Sequence, residues 1–235
     1  WARTWDGREK DILIKQEFAG EEDWEKHIKY LLPFFKDERY IKVDNKPMML
    51  LYTTSRIDRC DEMVAYWDKF LKDECFEGLY VVETINTFQN KPVLKNSQAL
   101  VHFEPQETLN QIKKDPFHMA LRFIRKKYHI GPFKTVKIDD IYKHIENRKH
   151  VSDKVEFDGS APGWDNSARK GDAGTITTGN SPLKFKNHLK KLLANEETGD
   201  FIFINAWNEW AEGSYLEPDT ENGYGFLKAI KAIFK

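Results

Sequence analysis

Cysteine is scarce in this chain of 235 residues: Cys60 and Cys75 are the only two, fifteen positions apart, with no CxxC pair and no Cys/His zinc spacing. They read as two ordinary thiols on or near one helix. The seven histidines form no HExxH pattern, so no metal is expected. A GxGxxG turn and an Asp-x-Asp pair are also missing, so no nucleotide cofactor is expected. No apolar run approaches the roughly 20 residues of a membrane span. Charge of one sign is missing too. With 37 Lys plus Arg against 38 Asp plus Glu, the net charge of −1 gives no field that would draw the chain to nucleic acid or to an anionic membrane.

Aromatic residues, by contrast, are plentiful, and they are concentrated. Residues 201–218 read FIFINAWNEWAEGSYLEP. Phe201 to Ile204 is an unbroken run of strand formers after a Gly-Asp turn, as expected for a strand buried on both faces of a parallel sheet. Asn205, Trp207, Asn208, Glu209, Trp210, Glu212 and Tyr215 follow at once, bringing two carboxylates, two amides and three rings into eleven residues. Carboxylates between aromatic walls suit glycoside chemistry. Sugar rings stack their C–H faces on aromatics, amides bind hydroxyls, and a carboxylic acid with a raised pKa protonates a leaving oxygen.

Along the chain, apolar runs at 47–52, 79–84, 99–104, 155–158 and 201–205 read as five buried strands, the first three ending on Tyr52, Glu83 and Glu104. Between them lie helical stripes. Trp24, Ile28, Leu31, Leu32 and Phe35 share one face, and Ile57, Met63, Val64, Trp67, Phe70 and Leu71 give another apolar stripe, in a helix that Ser55 or Asp58 is expected to cap. Residues 107–150 form a helical insertion broken near Pro116, and Asn180-Ser181-Pro182 starts a further helix. Strand and helix alternate throughout, which predicts one α/β domain over residues 1–235, built from parallel βα units with loops at the strand ends forming the site. Two further loops look substrate-facing: the opening one with Trp5 and Asp6, and the segment with Trp164, Asp165, Asn166 and Arg169. Five strands cannot close a (β/α)8 barrel, so this chain is expected to cover the last five βα units, with three strands missing ahead of it. An incomplete barrel would need that segment, or self-association, to cover its apolar edges.

The stretches WARTWDG, ILIKQE, the segment from Gly20 to Tyr52, PGWDNSAR and above all FINAWNEWAEGSYLEPD resemble the WbsX glycosyltransferase family, also described as a glycoside hydrolase family 99-like domain. The resemblance covers nearly the whole chain and is loosest over 107–155. It implies a TIM-type (β/α)8 barrel acting on an α-mannoside-like glycan with retention. Glu209 would be the base that assists the sugar's own 2-hydroxyl and Glu212 the acid that protonates the departing oxygen. Tyr52, Glu83, Glu104, Trp164, Trp207, Trp210 and Tyr215 would then shape subsites, and Asp165, Asn166, Arg169, Asn205 and Asn208 would hold hydroxyls. A nucleotide-sugar-dependent transferase of surface polysaccharide or lipopolysaccharide biosynthesis is the alternative, and a non-catalytic glycan-binding module is a third. The compartment stays open; it is cytoplasmic if the chain serves bacterial polysaccharide synthesis.

Overall fold

The computed structural model describes residues 2–3, 8–15, 17–114, 116–128, 134–171, 174–195 and 199–234. Its element order is that of an α/β protein. The chain divides into two compact units, residues 1–84 with 91–99, and residues 85–90 with 100–235.

In the first unit, β1 (Ala2–Arg3) and β2 (Arg8–Ile12) pair antiparallel ahead of α1 (Glu21–Lys36). Glu21, Glu22 and Asp23 occupy the first turn of α1, where the helix dipole favours acids. β3 (Lys42–Val43) and β4 (Lys46–Leu51) then form a hairpin whose two turn residues, Asp44 and Asn45, both have positive φ, as a tight primed turn requires. From β4 the chain crosses through α2 (Cys60–Asp73) to β5 (Tyr80–Ile85), which lies parallel to β4 with Met48 opposite Tyr80 and Leu51 opposite Glu83. Trp24, Ile28 and Phe35 of α1 pack on Met63, Val64, Trp67 and Leu71 of α2, and the Trp67 indole donates to the Trp24 carbonyl at 2.9 Å. Cys60 is buried in this core and Cys75 is exposed, both as free thiols.

Neither Ser55 nor Asp58 caps α2. A 3-10 turn over Thr54–Arg56 delays the helix, which starts only after Arg59, whose backbone is left-handed and whose side chain makes no cap bond.

The second unit contains β6 (Ala99–His102), α3 (Gln106–Lys114), α4 (Pro116–Tyr128), β7 (Thr135–Lys137), α5 (Ile138–Glu146), β8 (Val155–Phe157), β9 (Gly159–Ser160) and α6 (Ser167–Lys170). β10 (Ile176–Thr178), α7 (Pro182–Leu193), β11 (Phe203–Ile204), β12 (Asn208–Glu209), β13 (Ser214–Tyr215) and α8 (Gly225–Lys231) complete it. Two parallel pairs follow the crossover rule, β7 with β10 and β9 with β11. Ser181 caps α7, accepting from the Lys184 amide, with Pro182 just inside. Phe185, Leu189 and Leu192 of α7 meet Ile138, Ile141 and Ile145 of α5 and Phe226 and Ala229 of α8 in one core. Gly159 allows β9 to run against β6, since a β-carbon there would sit 1.9 Å from the His102 carbonyl oxygen. No helix among the described residues is long and apolar enough to cross a membrane.

Glu83 is fully buried in the first unit, and its two carboxylate oxygens accept from the Thr54 and Ser97 hydroxyls and the Val93 and Leu94 amides at 2.6–3.2 Å. Burial alone would raise its pKa, but these donors outweigh it and hold the carboxyl below its ordinary value. A depressed carboxyl stabilises the fold above the unfolded carboxyl range and loses that contribution as pH falls through the folded value. Glu83→Ala strands four donors and is expected to cost about 3 kcal/mol or more in urea unfolding at pH 7. The difference from wild type should shrink as the measurement moves into acid.

Candidate functional site

The site is built where β11 ends. The Phe203 amide donates to the Asp158 carbonyl at 3.0 Å and the Asn205 amide to the Ser160 carbonyl at 2.9 Å, so the last strand is fixed along β9. The Asn205 side-chain amide donates to the Glu104 carbonyl at 3.1 Å, and the Asn205 carbonyl accepts the Ser214 hydroxyl at 2.6 Å. Beyond Asn205 the chain forms a short hairpin. Asn208 pairs with Tyr215 and Glu209 with Ser214, around a 3-10 turn over Trp210–Glu212. Gly213 closes that turn with φ of 59°, the left-handed backbone that glycine adopts without cost. The amides of Leu216 and Glu217 return to the Trp207 carbonyl at 3.0 and 3.1 Å and clamp the base of the hairpin.

The two carboxylates of the hairpin sit in different surroundings. Glu209 is exposed, whereas the Glu212 side chain is only 15% exposed. Burial raises the Glu212 pKa; the charge of Glu209 adds to the rise, and Arg169 and Lys170 oppose it. Arg169 forms an ion pair with Glu212, and the Asp165 amide donates to the Glu212 carbonyl at 2.7 Å. The loop 161–171 is therefore bound to the hairpin by both side chain and backbone. Asp165 accepts the Ser167 amide and Asn166 the Thr175 amide, at 2.9 and 2.8 Å, which shapes the turn that presents Arg169.

The hairpin's aromatic residues divide in the same way. Trp207 and Trp210 are 54% and 48% exposed, and Trp210 stacks on Tyr215 with ring centroids 3.7 Å apart while its indole donates to Glu217 at 2.6 Å. Trp164, grouped with them by sequence, is 2% exposed and packs in the core of the second unit. The structure thus places Glu209, Glu212, Asn205, Trp207, Asn208, Trp210 and Tyr215 on the hairpin and its base and Asp165, Asn166 and Arg169 on the loop bound to it, with the Trp164 ring in the core of the second unit. Tyr52, exposed, and Glu83, buried, belong to the first unit. Trp5 and Asp6 lie outside the described residues.

Glu104 is buried and ion-paired with Arg148, and it accepts the Thr108 hydroxyl at 2.9 Å. Burial raises its pKa against the pull of Arg148. Around this pair lies a group that sequence reasoning missed. Arg148 also reaches Asp158 at 3.5 Å, His150 approaches Asp158 at 3.4 Å, and His102 joins Glu107 at 2.7 Å and Glu156 at 2.8 Å. The available signal was only the closeness of His102 and Glu104 at and just beyond the end of β6, where the strand has already given way to a turn. His102, His150 and Glu156 offer ligand atoms within 4.8 Å of one another. Both His102 nitrogens nevertheless face carboxylates, which fits an imidazolium donating twice better than a metal ligand.

Fold and site together define an α/β protein with an unequal carboxylate pair set among exposed indoles. The chain belongs to the WbsX glycosyltransferase family, whose model matches residues 1–230. It is 28% and 29% identical, over 98% of its length, to the uncharacterized protein WxcX of two strains of Xanthomonas campestris pv. campestris, B100 and ATCC 33913. The chain spans about a third of the length of these curated relatives. A solved glycoside hydrolase-like protein shares its fold with a TM-score of 0.56 at 14% identity, over 91% of this chain and 61% of that one. The GH99 endo-alpha-mannosidase from Bacteroides thetaiotaomicron aligns with a TM-score of 0.45 at 12% identity, over 93% of this chain and 62% of that one.

His102 gives the site's foundation a pH signature. Burial would lower its pKa, but Glu107 and Glu156 outweigh this and raise it to about 9. A raised histidine stabilises fully below the unfolded value near 6.5 and loses that contribution as pH climbs through about 9. Unfolding free energy should fall by about 3 kcal/mol between pH 6 and pH 10 through this group. His102→Gln should flatten that slope, and added Zn²⁺ should leave the wild-type midpoint unchanged.

Proposed function

We propose that this chain carries the catalytic carboxylates of a carbohydrate-active enzyme that cleaves or transfers glycosidic bonds of an α-mannoside-like polysaccharide with retention. The observation that carries this reading is the inequality of the pair. Glu212 is shielded and has a raised pKa, suiting it to hold a proton for a leaving oxygen, while Glu209 three residues away is exposed as a base. In the first step Glu209 takes the proton of the sugar's 2-hydroxyl, that oxygen bonds to the anomeric carbon, and the departing oxygen leaves with the proton of Glu212. In the second, Glu212 removes a proton from water or an acceptor hydroxyl, which opens the strained ring from the opposite side as Glu209 returns its proton. Two displacements at one carbon give net retention. Because the sugar supplies its own nucleophile, the separation rule for a carboxylate nucleophile does not apply.

Exposed Trp207 and Trp210 suit sugar stacking, and Asn208 and Asn166 suit hydroxyl binding. The α-mannoside class comes from the likeness of the Asn-Glu-Trp-Ala-Glu motif to family 99 hydrolases. The parallel β9–β11 pair with site loops beyond its ends favours a barrel-type arrangement, to which the rest of a longer protein would contribute. The family's transferase description favours a hydroxyl acceptor over water, and a transglycosylase satisfies both description and carboxylates.

The test is a product assay of the full-length protein on α-linked mannans and bacterial surface polysaccharides, with and without nucleotide sugars. Glu209→Gln and Glu212→Gln should each lower turnover by about 10²–10⁴-fold without nucleotide being required. Activity that needs a nucleotide sugar and survives both substitutions would overturn the proposal. Arg169→Met removes a cation that lowers the Glu212 pKa. The alkaline limb of the kcat/KM profile, where a required acid is lost, should therefore move to higher pH.

A further inference from the structure

A cavity of about 270 Å³ opens in the second unit beside the hairpin, and the proposed proton transfers make no use of it. Asn180, Tyr215, Asp219, Glu221, Asn222 and Phe226 line it. Its volume lies just below the range of ligand pockets for drug-sized molecules and accommodates one monosaccharide ring. Its walls are mainly polar with a smaller apolar part, as suits a hydroxyl-rich ligand. Tyr215 and Phe226 contribute the smaller apolar part of the wall, while Asn180 and the acidic loop 219–222 contribute hydrogen-bonding groups.

The polar wall is rigid and negatively charged. Asp219 accepts the backbone amides of Glu221 and Asn222 and the Asn222 side-chain amide, with Tyr215 beside it, and these donors hold its carboxyl below the ordinary range. Glu221 adds a second carboxylate. Among the described lining residues there is no lysine or arginine, and the nearby Lys184 is paired with Asp139 at 2.6 Å. A uronate or a phosphate placed here would meet the like charge of Asp219 and Glu221.

We propose that this cavity is a glycan subsite for one uncharged pyranose unit, selecting against uronate- and phosphate-bearing units. The proposal rests on the glycan reading of the hairpin for its ligand class, and on the cavity's own lining for its charge selectivity.

Binding of methyl α-mannopyranoside and of methyl glucuronide to the full-length protein, followed by ligand-observed NMR titration, tests it. Glu221 is exposed, so Glu221→Trp can fill the cavity without disturbing the core, and Glu221→Gln removes charge at constant size. Wild type should bind the mannoside at least about tenfold more tightly than the glucuronide. Glu221→Trp should weaken the mannoside about tenfold or more, and Glu221→Gln should narrow the gap between the two sugars. Mannoside binding unchanged in Glu221→Trp, or a glucuronide bound as well as the mannoside, would overturn the subsite. The polysaccharide product assay separates this from the catalytic reading. Turnover with no Glu221 effect on binding removes the subsite alone, whereas a Glu221-dependent mannoside site without turnover removes the catalysis and keeps the subsite.

Discussion

Arg148 placed between Glu104 and Asp158 is the interaction on which the second unit's site depends. Its guanidinium is 8% exposed and the two carboxylates almost wholly buried, so each charge forgoes most of its hydration. Such a cluster persists only when every member is paired, since an orphaned charge in the interior costs several kcal/mol. Burial alone would lower the Arg148 pKa, and Glu104, Glu107 and Asp158 together hold it up, so the cation survives because three acids face it. The same residues also anchor the last strand through their backbone. The Glu104 carbonyl receives the Asn205 side chain and the Asp158 carbonyl receives the Phe203 amide. The chain therefore leaves its final strand from a point fixed by a network that never touches the hairpin's carboxylates.

The hairpin itself is too small to be held by sheet pairing. Its two strands have two residues each, and an isolated two-stranded ribbon is marginal in water. Its geometry comes from bonds at its ends: the Ser214 hydroxyl on the Asn205 carbonyl, two amides on the Trp207 carbonyl, and the Asp165 amide on the Glu212 carbonyl. Stacking of Trp210 on Tyr215 and the indole bond to Glu217 stiffen the tip. Precision of this kind, imposed from a rigid base, is what a loop-borne site needs if two carboxylates are to keep separate roles.

Much of this was legible in the residues because it is local. The stripes of α1 and α2 recur at helical spacing, Ser181-Pro182 announces α7, and the five apolar runs overlap β4, β5, β6, β8 and β11, although only Phe203–Ile204 of the last run is strand and that run is half-buried where burial on both faces was expected. β7 and β10 escaped notice because each is three residues of mixed polarity whose strand character comes from pairing with the other. The carboxylates of Glu83 and Glu104 looked like strand-end ligands, yet the structure commits both to interior donors that come from distant or irregular sequence. Trp164 shows the same limit. A tryptophan beside Asp165 and Asn166 looks surface-facing, but the Trp164 amide donates to the Thr177 hydroxyl and the Thr177 amide to the Trp164 carbonyl, and the indole lies in the core while its neighbours stay outside. Sequence spacing gives the density of functional groups; which way each faces is decided by partners that spacing cannot reveal.

Arg169 shows how such a partner alters chemistry as well as direction. Burial of the Glu212 carboxyl and the neighbouring charge of Glu209 both push its pKa up. A proton donor that must also recover its proton from water or an alcohol works best when neither state is strongly preferred. Arg169 and Lys170 supply the opposing charge, and both come from α6, a four-residue helix tied to the hairpin through Asp165. The electrostatic surroundings of Glu212 therefore depend on a segment more than forty positions away in sequence, which the Asp165 backbone bond and the Arg169 ion pair tie to the hairpin. The Asp165-Asn166 turn bears on the Glu212 carboxyl chiefly because it keeps Arg169 beside it, where the guanidinium opposes a rise that burial still wins.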